Sequence, residues 1–207
     1  MARIRKYSAG VPAERERGAD RQRPYHHGNL RRALLDEAID VIGEAGPGAI
    51  RLRDLARRVG VSHAAPAHHF GDKRGLLTAV AAEGYRLFAA ALRDEYERTG
   101  SFRELGVAYV RFAVEHRPYF EVMFRPDLYR NEDPELAEAR KEAAALLYTP
   151  LGALSSGDPS FDTLRAGVAA WSLVHGLATL YLNGALPPEL GDDPEQIARS
   201  IPGHFPP

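Results

Sequence analysis

Residues 52–70, LRDLARRVGVSHAAPAHHF, restrict what this chain can fold into more than any other stretch. Leu52, Leu55, Ala56 and Val59 recur at i, i+3, i+4 and i+7, the spacing of one face of a helix, and Gly60 closes that helix. After the turn Gly60-Val61-Ser62, a further helix of about two turns is predicted, capped by Ser62 and ending near Phe70. Between Ser62 and Phe70 there is no large apolar side chain, so this short helix has little to bury. Pro66, four residues after Ser62, cannot donate to the Ser62 carbonyl, which predicts a distorted first turn. Two short helices joined by a glycine turn, the first packed and the second presented, form a helix-turn-helix.

The same helical period runs through the rest of the chain, without strand-like alternation or an internal repeat. Upstream, Asn29 is a plausible N-cap for a helix carrying Leu34, Ala38, Val41, Ile42 and Ala45, stopped by Gly46-Pro47-Gly48. Asp72 caps a long helix with the stripe Leu77, Val80, Gly84, Leu87 and Ala91. Phe102, Leu105, Tyr109, Phe112 and His116 share a face before Pro118 breaks the run. Asp133-Pro134 and Asp158-Pro159 each read as a cap followed by proline at the first helical position. Leu164, Val168, Trp171, His175, Ala178 and Leu182 form the stripe of the last long helix, and Asp193-Pro194-Glu195-Gln196 opens a short terminal one. The predicted fold is all-α, with an N-terminal three-helix helix-turn-helix domain followed by a C-terminal helical bundle. The predicted divisions are a disordered basic arm over 1–24, a head over 25–75 and a bundle over 76–207.

Charge separates along the same line. Residues 1–75 hold 15 Lys and Arg against 9 Asp and Glu, and residues 76–207 hold 12 against 19, so the overall −1 divides into +6 and −7. A basic head on an acidic body fits a polyanion partner, although uneven surface charge also arises without one. Cysteine is absent, which excludes disulfides, thiolate metal sites and cysteine nucleophiles. The charged start and the lack of an apolar run of spanning length predict a cytoplasmic protein with no membrane partner.

A helix poor in apolar bulk and close to a groove's width in length suits the major groove of double-stranded DNA. Ala64, Ala65 and Ala67 would let the backbone approach, with Ser62, His63, His68 and His69 as polar contacts and Arg53 and Lys73 beside them. Lys73 follows the Asp72 cap, so its charge and the helix N-terminus face a phosphate together. The three histidines lack cysteines or carboxylates at ligand spacing, so no metal and no cofactor is expected. Arg21 and Arg23 read either as a solvated tail or as an arm reaching the minor groove, and His26-His27 likewise as solvated or in contact with DNA.

These residues resemble the TetR/AcrR transcriptional regulators. The resemblance rests on GEAG, LRDLARRVGVS and HHFGDKRGLL over roughly residues 25–80, with PYHHGNLRRALL at 24–35 and the W-x-x-x-H-G pattern at Trp171, His175 and Gly176 typical of the subgroup with a WHG-type C-terminal domain. It implies an N-terminal DNA-binding domain, a variable helical ligand-binding domain and a homodimer built from the last helices. Arg51 stands where the family places a Ser or Thr cap, and Ala67 where it places a phosphate-contacting Tyr; the family's Lys is present as Lys73.

Within the bundle, Tyr109, Phe112, His116, Phe120, Met123, Trp171 and His175 are the candidate ligand-binding residues, an apolar set with a few polar groups. Trp171 and His175 fit equally the reading of a core aromatic beside a satisfied histidine. Gly167, Ala170, Val174 and Tyr181 form a second face of the same helix, available for dimerisation. No nucleophile elbow, phosphate-cradling glycine loop or HExxH motif is present. The expected function is a ligand-responsive regulator, a repressor binding a pseudo-palindromic operator as a homodimer and released by a small-molecule effector. The alternative is a helical small-molecule-binding protein or enzyme without DNA binding.

Overall fold

Nearly every predicted apolar stripe closes into an α-helix in the computed structural model, which describes residues 27–154 and 162–201. The expectations for the arm over 1–24, including Arg23, and for Asp158-Pro159 and the end after 201 lie outside the described residues. Among the described residues there are nine α-helices, two 3₁₀ turns and no strand. The first helix, α1 (His27–Ala45), begins two residues ahead of the expected Asn29 cap. A 3₁₀ turn at Pro47–Ala49 leads into α2 (Leu52–Val59). Gly60 ends α2 at φ 76°, a left-handed conformation that a Cβ would strain, and its N–H returns to the last turn.

The helix after that turn, α3, is shorter than predicted. It spans Ala65–Phe70, starts from Ala64 and has no side-chain cap, so Ser62 does not cap it. The Ser62 carbonyl instead accepts from Ala65 N at 3.0 Å, closing a turn ahead of the helix. Pro66 therefore falls in the first turn of α3, where backbone donors have no intrahelical acceptor, and the residues just ahead of it, 63–64, form a turn where the first helical turn is expected. Pro66 and Phe70 are both buried. Phe70 joins Leu34, Ile42, Leu55, Leu76 and Leu77 in a core shared by α1 to α4, and its burial stabilises by about 1.5–3 kcal/mol.

From the Asp72 cap runs α4 (Lys73–Thr99), the long element against which α5 (Phe102–Glu115), α6 (Arg117–Met123) and α7 (Pro134–Leu154) all pack. By length and mean hydropathy alone α4 could cross a membrane, but more than half of its apolar window is buried within the fold. Its core stripe drifts from the predicted one: Leu77, Val80 and Gly84 are buried, but Phe88 and Leu92 continue the row while Leu87 is exposed. Gly84 marks the contact with α6, since a Cβ there would lie 2.7 Å from Met123 Sδ. Ala45 is likewise exposed at the end of α1.

At the far end of α4, Glu95 is only 5% exposed and accepts from Arg111 Nη2 at 2.7 Å and from Arg98. Arg111 also reaches Glu195 at 3.4 Å, tying α4 and α5 to α9 (Pro194–Ser200). Burial alone would raise the Glu95 carboxyl, but the two guanidinium bonds outweigh it and hold the group below its ordinary value.

The last long helix, α8 (Thr163–Leu182), is rotated from expectation: of the predicted core stripe Ala178 is buried and His175 and Leu182 are half-buried, but its first residues face outward. Gly167 is buried against Tyr148, Val174 packs on Gly106, and Tyr181 donates to the Asp192 carbonyl, so the face expected to dimerise is the internal one. Leu164, Val168 and Leu180, of which the first two belong to the predicted core stripe, are instead 65%, 43% and 47% exposed.

Candidate functional site

Because Pro66 and Phe70 are the inward-facing residues of α3, most of the residues between and just before them are set outward. Ser62, His63, Ala64, Ala67 and His68 are exposed on one surface, while Ala65 and His69 are half-buried. The His68 and His69 rings meet edge-on at 5.5 Å, and the Arg31 guanidinium lies 5.3 Å from the centre of the Phe70 ring on the side toward α1. Arg53 is exposed on α2. The geometry thus brings Ser62, His63, Ala64 and His68 together, and turns Ala65 and His69 partly away.

Beside this surface, two cations share one carbonyl. Arg51 Nη1 donates to the Gly48 oxygen at 2.8 Å and Lys73 Nζ donates to the same oxygen at 3.0 Å. Arg51 makes no cap for α2, as its side chain is an unsuitable acceptor, but it is held against the 3₁₀ turn and adds charge that the sequence pattern did not reveal. Lys73 has its pKa lowered, first by partial burial and then by the Arg51 charge. The start of α4 is fixed by Asp72, whose Oδ1 accepts from Gly75 N at 2.8 Å; that backbone bond leads the forces holding its carboxyl below the ordinary range.

A second assembly lies in the C-terminal helices. Tyr109, 1% exposed, accepts from Trp171 Nε1 at 3.2 Å and stands 2.8 Å from His175 Nδ1. Indole can only donate, so the phenol oxygen accepts from Trp171, and a neutral His175 ring would take the phenol proton at Nδ1, the direction of that bond following the imidazole tautomer. Burial lowers the His175 pKa in the same sense, and raises that of Tyr109. Phe124 packs on His175 at 4.7 Å and on Trp171 at 6.1 Å, and Phe88 on Tyr109 at 5.1 Å.

Two clefts open on either side of Phe124. One, about 310 Å³, is lined by Phe120, His175, Thr179 and Arg117 among others. The other, about 210 Å³, is lined by Tyr85, Phe88, Arg140, Leu147, Tyr148 and Trp171. Of the seven candidate ligand residues, Phe120, Trp171 and His175 line these clefts, and Tyr109 sits behind them lining a tighter apolar gap with Trp171 and Val174. Phe112 and Met123 are buried in the packing of α5 and α6 on α4, and His116 stands at the α5–α6 junction against Phe112. Tyr85, Phe88, Phe124 and Arg140 were not singled out by the sequence. Tyr85 and Phe88 lie beside the α4 stripe, whereas Arg140 sits in a charge-rich run that gives no such signal. Among the described residues no three His, Asp or Glu side chains come together as metal ligands.

The segment 124–133 joins the clefts to the head. Arg74 donates to the Tyr129 carbonyl at 2.9 Å, Arg130 N to Thr78 Oγ1 at 3.0 Å, and Arg130 Nη2 to Asp72 Oδ2 at 2.9 Å. The side chain of the same Tyr129 turns toward the cleft, where its Oη donates to the Met123 carbonyl at 2.7 Å and accepts from Arg140 Nη2 at 2.6 Å.

Residues 34–80 match the family model for bacterial regulatory proteins of the tetR family, and residues 102–202 match the model for a tetracyclin repressor-like C-terminal domain. The chain belongs to the tetR family. It is therefore a DNA-binding transcriptional regulator with an N-terminal helix-turn-helix and a C-terminal helical domain. Among curated tetR family relatives, it is 29% identical over 193 residues to the HTH-type transcriptional regulator BetI of Klebsiella pneumoniae (strain 342), covering 84% of this chain and 91% of that protein. A solved structure of a protein of unknown function from Rhodococcus sp. RHA1 is 35% identical, with a TM-score of 0.73 over 86% of this chain and 93% of that one. The TetR family transcriptional regulator PfmR from Thermus thermophilus shares the fold, with a TM-score of 0.61 at 24% identity over 81% of this chain and 93% of that one.

Proposed function

We propose that this regulator is a homodimeric repressor that reads a pseudo-palindromic operator and is released by a small molecule bound beside Phe124. The observation that carries the reading is the segment 124–133, in which Arg130 and the Tyr129 carbonyl grip the start of α4 at Asp72 and Arg74 while the Tyr129 hydroxyl rests on the cleft wall at Arg140. In this reading His63 and His68 bond base edges, with Ser62 and Ala64 at the groove floor and Ala65 and His69 at its margin. Lys73, Arg51 and Arg53 hold phosphates. A contribution from Arg23 concerns the segment before residue 27.

Dimerisation is supported by α8, whose broad outer face exposes Leu164 and Val168 near its start and Leu180 near its end, while Gly167, Leu177 and Ala178 pack against its own chain. A two-fold axis there would set two recognition helices at a fixed spacing. An effector that wedges Phe124 displaces the segment 124–133 and with it the head, lowering operator affinity by its differential affinity for the two states, on the order of 1–3 kcal/mol.

Selection of bound sequences from random DNA tests the reading as a whole. The expected product is an inverted repeat, bound by a species of about twice the 22.8 kDa chain in light scattering. Recovery of no enriched sequence, or of a single half-site bound by a monomer, refutes it.

A further inference from the structure

Arg140 is set apart from the other cations around it. On the neighbouring surface of α4 and α7, Arg86 pairs with Glu135 and Arg93 with Glu142, and Lys141 pairs with Glu138. Arg140 is half-buried at the wall of the 210 Å³ cleft, and among the described residues no carboxylate lies within 4.0 Å of it. Its hydrogen-bond partners are neutral: Nη2 donates to Tyr129 Oη at 2.6 Å and to Asn131 Oδ1 at 3.1 Å. The guanidinium lies 5.0 Å from the Tyr129 ring centre and 5.6 Å from that of Tyr85.

A guanidinium offers five N–H donors in a planar fork, and a partly desolvated one without a counter-ion is unfavourable unless something supplies the charge. Here both bonds run from one nitrogen, and the Tyr85 hydroxyl that also acts on the group is neutral, so no anion among the described residues balances the fork. The rest of the wall is aromatic or aliphatic: Tyr85, Phe88, Phe124, Leu147 and Trp171. A single cationic fork over an apolar floor complements a molecule with one anionic end and one apolar end.

We propose that the effector is an organic carboxylate with an aromatic or medium-chain aliphatic body. Its carboxylate pairs with Arg140 and its body lies between Phe124, Phe88 and Trp171. The proposal rests on the effector reading above and gives it a trigger. A carboxylate that takes up the fork competes with Tyr129 Oη for Nη2, and Tyr129 and Arg130 are the residues that hold Arg74 and Asp72.

The test uses the full chain and matched triplets built on the same skeletons: 3-phenylpropanoate with its amide and amine, and octanoate with its amide and amine. Binding is read by calorimetry and by the fluorescence of Trp171, the single tryptophan. The carboxylates are expected to bind at least tenfold tighter than their amides and amines. Arg140→Gln is expected to erase that preference and Arg140→Lys to keep part of it, with circular dichroism melts verifying that both variants fold. Amides or amines binding as tightly as the acids overturn the proposal. So does a preference surviving in Arg140→Gln, or no carboxylate binding at millimolar concentration. Operator release is measured in parallel. Acids that bind through Arg140 without releasing DNA refute the effector reading and leave the ligand class standing, whereas amines that release DNA do the reverse.

Discussion

Replacing Lys73 by Ala tests the phosphate contact proposed for it apart from everything else in the head. The side chain is held by a single 3.0 Å bond to the Gly48 carbonyl, which Arg51 continues to satisfy at 2.8 Å, and the α4 cap is made by Asp72, so the fold should change by less than about 0.5 kcal/mol. Each phosphate contact contributes about 0.9 to the slope of log affinity against log salt, and the proposed homodimer would lose two contacts at once, so the slope should fall by about 1.8 in magnitude. Between 50 and 200 mM salt the affinity gap between wild type and variant then narrows about twelvefold. Fluorescence anisotropy on operator and random duplexes at several salts measures both quantities. Both duplexes should weaken alike, because a phosphate carries no sequence information. His68→Ala should do the opposite, costing about 1–3 kcal/mol on the operator and little on random DNA. An unchanged salt slope in Lys73→Ala, or a loss confined to the operator, refutes the division of roles.

Glu95→Gln should cost about 1–3 kcal/mol in urea unfolding at neutral pH by removing the charge between Arg111 and Arg98 and setting an amide donor against one of the two guanidiniums, discounted for the exposure of Arg98. Because the folded carboxyl is held below its ordinary value, its contribution is present above the ordinary glutamate range and lost as pH falls through the folded value; the variant should therefore show a flatter acid limb, and an identical limb speaks against the triad. Gly75→Ala should disrupt the junction of α3 and α4, since the added Cβ would sit 1.9 Å from the Phe70 carbonyl oxygen; a lowered melting temperature with lost operator binding is expected, and wild-type behaviour in both would contradict the packing. If the proposed dimer forms on the outer face of α8, Leu180→Glu should yield a monomer in light scattering without a drop in helicity, and a persistent dimer would move the interface away from Leu180.

Much of this architecture is readable from the order of residues, because helix period, glycine stops and Asp caps are local. Asp72, Asp133 and Asp193 all accept from the backbone of the helices they start. The missing cap at Arg51 was equally local and is missing in the structure. What was not legible is orientation. Periodicity identifies a stripe on α8 but not whether it faces its own chain, and Leu164 and Val168 share the spacing of Ala178 while facing solvent. On α4, which has neighbours on several sides, the true core row shifts from Leu87 to Phe88. The bonds of Arg130 to Asp72 and of Arg74 to Tyr129 join residues 58 and 55 positions apart, contacts that no short window contains.

The two buried anchors of α3 have a bearing on how such a protein changes over generations. Pro66 and Phe70 mount the helix, and Pro66 needs no backbone donor where it sits. His63, Ala64, Ala67 and His68 lie in solvent around those anchors and are owed nothing by the core. Exchanges at those four positions leave the mount intact and stay nearly invisible to folding, so this head is free to drift toward new DNA addresses one side chain at a time.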